Sequence, residues 1–167
     1  GIQGYNIVRI VGGTVDVETG GGAGEAYSES GDFRFGGDQN QNSMSGGATT
    51  GTTTTASDST ASSAKGIVSD TGVSIEGGTV DVNSGDDAIH ANGTVDISGG
   101  TLTLASGDDG VHADESLVVS GGEVTVSQSY EGLEGANITV SGGTLHVTAS
   151  DDGINASGGS DSSQAQG

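Results

Sequence analysis

The stretch DDAIHANGTVDISGGTLTLASG, residues 86–107, decides how this chain folds. It holds three short runs, AIHA, TVDIS and TLTLA, separated by Asn92–Gly93 and Gly99–Gly100. Alternation of apolar and polar residues marks a strand with one buried face, and Asn-Gly or Gly-Gly between runs marks a turn. The same frame recurs before it as AKGIVSDTGVSIEGGTVDVNSG (64–85) and after it as DDGVHADESLVVSGGEVTVSQS (108–129). YEGLEGANITVSGGTLHVTAS (130–150) is a slightly shorter copy, and DDGINASGG (151–159) opens another. GIQGYNIVRIVGGTVDVETG (1–20) fits the frame without its acidic start. A period of roughly 22 residues implies a solenoid. Three short strands per period predict an all-β, right-handed parallel β-helix.

Alternation assigns the inward side chains. They are Ile67, Val73, Ile75, Val80 and Val82 in one coil; Ile89, Val95, Ile97, Leu102 and Leu104 in the next; Val111, Leu117, Val119, Val124 and Val126; then Leu133, Ile138, Val140, Leu145 and Val147. Only 30% of the 167 residues are hydrophobic, and 34 are Gly. A solenoid core needs no more than such narrow stacks, so this composition suffices without implying disorder. The Gly-Gly corners stack where side chains would crowd the turn. Register is lost over residues 21–63, a stretch of Gly, Ser, Thr and Gln whose one strand-like island is DFRF. It reads as a long inserted loop. The expected organisation is a single β-helix domain, 1–159, with regular coils from 64 onward, and a flexible tail, 160–167.

Formal charge is −20, from 23 acidic groups against three Lys or Arg. Nucleic acid and membrane insertion are poor expectations: the charge repels phosphate, and no apolar run is long enough to span a bilayer. Cysteine is absent, which excludes thiolate metal sites. The acids are placed systematically. Stacked coils lie ~4.8 Å apart, so equivalent residues form columns. One column reads Ala64, Asp86, Asp108, Tyr130, Asp151; the next Lys65, Asp87, Asp109, Glu131, Asp152; an outward one Val68, His90, His112, Glu134, Asn155. Unit charges at that spacing repel by roughly 1 kcal/mol in water and roughly 3–4 kcal/mol at an effective dielectric near 20. One ammonium, Lys65, cannot offset seven carboxylates. Hard oxygen donors at a Gly-rich turn suit Ca²⁺, bridging Asp86 and Asp87 to Asp108 and Asp109, and Asp109 to Glu131 and Asp152. Turn chemistry alone, Asp being a good turn residue, is the competing explanation. His90 and His112 have the chemistry to ligate a transition metal, but the simpler expectation is exposed polar positions on a strand. With Tyr130 they are the candidate ligand-binding residues.

The elements DDAIHA (86–91), DDGVHA (108–113), SYEGLEG (129–135) and DDGIN (151–155) resemble those of the bacterial cell-surface carbohydrate-binding β-helix family. The resemblance covers residues 64–159, with 1–20 as a weaker extension. It implies a right-handed parallel β-helix akin to pectate lyases, an extracellular or cell-surface location, and binding of cellulose or an acidic polysaccharide such as polygalacturonate. By position it implies Ca²⁺ at Asp86, Asp87, Asp108, Asp109, Glu131, Glu134, Asp151 and Asp152. The 21–63 insertion has no counterpart in those motifs.

Three functions follow from these residues. A non-catalytic, calcium-stabilised polysaccharide-binding module fits the charge best, because Ca²⁺ can bridge an acidic protein to an acidic glycan. A structural subunit is the alternative, since open coil ends invite head-to-tail stacking into a filament. Catalysis is not expected: a catalytic centre is normally unique, whereas these acids repeat in every coil, and Arg9, Arg34 and Lys65 are not grouped.

Overall fold

A computed structural model of the protein describes residues 1–24 and 64–156, all within one compact unit. The expectations for the rest of the insertion, including DFRF, and for the tail lie outside the described residues. The described chain is all-β. The first coil contains β1 (Ile2–Gly4), β2 (Ile7–Ile10) and β3 (Thr14–Thr19). The second contains β4 (Ile67–Ser69) and β5 (Gly72–Ser84), and the third β6 (Ile89–Ala91) and β7 (Thr94–Ser106). The fourth has β8 (Val111–Ala113), β9 (Ser116–Val119) and β10 (Glu123–Gln128). The fifth has β11 (Leu133–Gly135), β12 (Ile138–Val140) and β13 (Thr144–Val147), and β14 (Ile154–Asn155) begins another.

Every pairing is parallel and joins equivalent positions of successive coils. Ile67 pairs with Ile89, Ile89 with Val111, Val111 with Leu133 and Leu133 with Ile154. The short strands form one sheet in the order β1-β4-β6-β8-β11-β14, and the remaining eight form a second. Ile2 pairs with Ile67, so residues 1–20 are the coil directly preceding 64–85 and the insertion interrupts two adjacent windings. It leaves and returns at one corner, where Thr19 Oγ1 donates to the Ala64 carbonyl at 2.5 Å. Its first residues lie along that corner. The Ala23 N–H donates to Asn83 Oδ1 at 2.7 Å, and Gln128 Nε2 donates to the Gly24 carbonyl at 2.6 Å.

One detail differs from the expected three separate strands. In the second and third coils the last two runs merge into continuous 13-residue strands, β5 and β7. The Gly-Gly pair there bends the ladder rather than ending it, with a register shift around Glu76 and Thr79. The two glycines serve different needs. The second of each pair, at Gly78, Gly100, Gly122 and Gly143, has φ between 82° and 94°, which side chains with a Cβ adopt at a cost. The first sits against the coil before it: a Cβ at Gly99 would lie 2.4 Å from the Glu76 carbonyl oxygen.

The core is five stacked columns. Ile75 and Ile97, Val80 and Leu102, and Leu104 and Leu117 are among the side chains with no or almost no exposure. Burying each contributes roughly 1.5–3 kcal/mol relative to leaving it in water. Val140 holds its inward register opposite buried Val119 but is 48% exposed. Ile138, Leu145 and Val147 are half-buried. The reason is stacking: β12 pairs only with β9 and β13 only with β10, so among the described residues no coil covers them.

Candidate functional site

The turn that joins each long strand to the next short one builds the site. Ser84 begins it by donating its hydroxyl to the Asp86 carbonyl at 2.8 Å, and Ser106 does the same for Asp108 at 3.0 Å. Both serines are fully buried. Main-chain bonds then stack the turns, with the Ala88 N–H donating to the Asp109 carbonyl and the Gly110 N–H to that of Glu131, each at 2.9 Å. The expected columns therefore exist. What the columns alone do not reveal is how their side chains sort into groups.

All eight carboxylates expected at the corner converge, in three clusters rather than one ladder. Asp86, Asp87 and Asp108 form one, Glu131, Asp151 and Asp152 another, and Asp109 and Glu134 join His112 in a third; within each, one donor atom per residue lies within 4.8 Å of the others. Asp109 thus faces His112 and Glu134, not the expected partners Glu131 and Asp152. A further group combines Asp87, His90 and His112.

The histidines are not the exposed strand positions expected of them. Their side chains are only 15% and 13% exposed, and their rings stack 4.8 Å apart at 30°. His90 Nδ1 lies 2.8 Å from Asp87 Oδ2 and its Nε2 3.0 Å from Asn92 Oδ1. His112 Nδ1 lies 2.8 Å from Asp109 Oδ2 and 3.0 Å from Glu134 Oε2, with Nε2 3.0 Å from Asp114 Oδ1. The acidic turn rises beside the short sheet, so a residue three positions after its second Asp faces that carboxylate. The spacing Asp-x-x-His-x-Asn/Asp was present in the sequence as a signal for this clamp, and so was the Ser-Gly preceding the Asp86–Asp87 and Asp108–Asp109 pairs.

Charge is unevenly compensated. Lys65 Nζ bonds Asp87 and lies 3.3 Å from Asp86 Oδ1. Burial raises the Asp87 pKa, but His90 and Lys65 together pull it below the ordinary carboxylate value. One coil further on no ammonium is present. Burial, reinforced by the charges of Asp87 and Asp108 and by the bond to Glu134, outweighs the His112 hydrogen bond and lifts Asp109 to about 8. Burial opposes protonation of His112, yet Asp109, Asp87 and Glu134 prevail and raise it to about 9. Glu131 is also pushed up, first by burial and then, against the Asn155 bond, by Glu134, Asp151 and Asp152. Its Oε1 accepts from Asn155 Nδ2 at 2.8 Å, while Oε2 is buried with no hydrogen-bond partner among the described residues. These groups border an open trough of about 350 Å³, lined among others by His90, His112, Tyr130, Glu131 and Glu134. Among the described residues, Tyr130 is the one Tyr, Phe or Trp side chain on it.

A stacked β-helix with a polar trough along one corner is an arrangement that can hold cations and present them to a long polymer. A family model described as carbohydrate-binding domain-containing protein matches residues 1–110 and 109–153. The chain belongs to this family. Comparison with curated proteins and with solved structures returned no match. Family membership supports a carbohydrate-binding role with a polysaccharide partner, and points away from catalysis. It gives no support to end-to-end stacking.

Proposed function

We propose that the protein is a non-catalytic, cell-surface module that binds an acidic polysaccharide, of the polygalacturonate type, through Ca²⁺ held at its acidic corner. The observation that carries this reading is Glu131 Oε2, a buried carboxylate oxygen without a partner beside Asp151 and Asp152. Leaving such an oxygen unsatisfied costs more than about 1–3 kcal/mol, because it belongs to a carboxyl group. A cation removes that cost. The donor set fits Ca²⁺, since all three residues offer hard oxygens and Asp151 and Asp152 are exposed enough to adjust around a large ion. The Asp86, Asp87 and Asp108 cluster fits less simply, because Lys65 already meets two of its members.

Ca²⁺ supplies the positive charge that a −20 protein needs to hold a uronate. The protein's own residues orient that contact: the buried serines fix the turns, and Tyr130 lines the trough beside the carboxylates. Cellulose is the lesser choice, as flat neutral glucans are gripped by rows of aromatic rings and, among the described residues, Tyr130 is the one Tyr, Phe or Trp on the trough. Retention on polygalacturonate and on cellulose, each with Ca²⁺ and with EDTA, tests the reading. We expect retention on polygalacturonate only with Ca²⁺, and its loss in Glu131→Gln. Equal retention in EDTA overturns it.

A further inference from the structure

The cluster around His112 differs in kind from the two all-oxygen clusters. A nitrogen ligand is a poor match for Ca²⁺ and a good one for borderline ions such as Zn²⁺. We propose that Asp109, His112 and Glu134 form a separate site for a divalent transition ion of the Zn²⁺ class, open to the trough on its remaining side. The proposal stands apart from the calcium reading and does not need it.

Geometry supports it. A tetrahedral ion with bonds of about 2.0–2.1 Å separates its ligand atoms by roughly 3.3 Å. His112 Nδ1 lies 2.8 Å from Asp109 Oδ2 and 3.0 Å from Glu134 Oε2, so the donors need only spread by a few tenths of an ångström. Two of them are paired across a rigid ladder, Glu134 opposite His112 on β11 and β8, and Asp109 lies in the turn that precedes β8. Asp109 is buried and the His112 and Glu134 side chains are 13% and 15% exposed, so little is left to order on binding. Asp114 Oδ1, 3.0 Å from His112 Nε2, holds the ring from behind, as carboxylates do for metal-bound imidazoles. The neighbouring group of Asp87, His90 and His112 is the weaker choice, because Lys65 occupies Asp87. The trough lined by these residues leaves the remaining side of the cluster open. A fourth ligand can enter from that open side, as water or as a hydroxyl or carboxylate of the bound glycan.

The test is calorimetric titration of Zn²⁺ into metal-free protein in buffer containing millimolar Ca²⁺. We expect a Zn²⁺ ion to bind despite the Ca²⁺. His112→Gln should weaken it at least about tenfold, whereas His146→Gln, on the exposed face of β13, should leave it unchanged. Thermal melting of each variant checks the fold. Side-chain nitrogen NMR on the wild-type chain needs no variant at all: Zn²⁺ should move Nδ1 of His112 and leave His146 in place. Loss of Zn²⁺ binding in the presence of Ca²⁺ overturns the proposal while leaving the calcium reading intact. Equal Zn²⁺ affinity in His112→Gln and wild type overturns it too, as does a response confined to His146.

Discussion

Replacing Lys65 with methionine separates the charge logic of the corner from its packing, because the apolar stem remains and only the ammonium is lost. The Asp87 side chain it contacts is 3% exposed, and Lys65 itself 20%. At the 3.3 Å between Lys65 Nζ and Asp86, unit charges attract by about 5 kcal/mol at an effective dielectric near 20 and by about 1.3 kcal/mol in water. Much of the difference is returned as desolvation. What the substitution leaves is a buried carboxylate short of one partner, a loss of about 3–5 kcal/mol. Asp87 keeps His90 Nδ1 at 2.8 Å, so the lower end applies, about 3 kcal/mol. For a domain of this size that corresponds to a fall in Tm of roughly 9 °C.

Circular dichroism melts at pH 7 in EDTA read this directly, and the double variant Lys65→Met/Asp87→Asn supplies the control. With Asp87 neutral the loss of the ammonium should matter little, so the double variant should recover most of the fall. The pH dependence has a fixed sign. The folded-state pKa of Asp87 lies below its unfolded value near 3.8, so the pairing stabilises the fold above that pH and fades as the pH drops through the folded value. The gap between wild type and Lys65→Met should therefore close in acid. Millimolar Ca²⁺ should restore part of the variant's stability, because Asp86, Asp87 and Asp108 then converge without an ammonium among them. An equal cost for Lys65→Met in the Asp87→Asn background refutes the charge argument.

Leu102→Ala, at a fully buried core position, should cost about 3 kcal/mol in urea unfolding, whereas Val140→Ala, 48% exposed, should cost under about 1 kcal/mol. Gly100→Ala should lose about 1–3 kcal/mol, since φ is 94° there and a Cβ would approach the Gly78 carbonyl oxygen to 3.0 Å. In metal-free protein, Asp109 and His112 both have folded pKa values above their unfolded ones, rising from 3.8 to about 8 and from 6.5 to about 9. Their stabilisation is present at low pH and lost as the pH rises through roughly 4–8 for the acid and 6.5–9 for the imidazole, so Tm in EDTA should fall between pH 6 and 9.5; a steady rise over that range contradicts the assignment. Ca²⁺ should raise the Tm of the wild type, and Glu131→Gln should shrink that increment.

The solenoid was legible because period and alternation are one-dimensional properties. Ile89 over Ile67 follows from counting, and so does the column that carries His90, His112 and Glu134. What counting does not supply is which way side chains lean within a turn. Asp109 and Glu131 are successive members of one column, yet Asp109 leans toward His112, and Glu131 toward Asn155, Asp151 and Asp152. The difference traces to composition at the neighbouring column, where His112 gives way to Glu134 and then Asn155. A histidine attracts the carboxylate three residues before it; a glutamate repels it. The same substitution grades charge compensation along the corner: Lys65 meets the first Asp pair, His112 the second, and around Glu131 no cationic side chain among the described residues joins the cluster. A regular backbone thus presents three chemically distinct positions at equal spacing, one compensated by an ammonium, one by an imidazole and one whose buried carboxylate oxygen has no hydrogen-bond partner among the described residues.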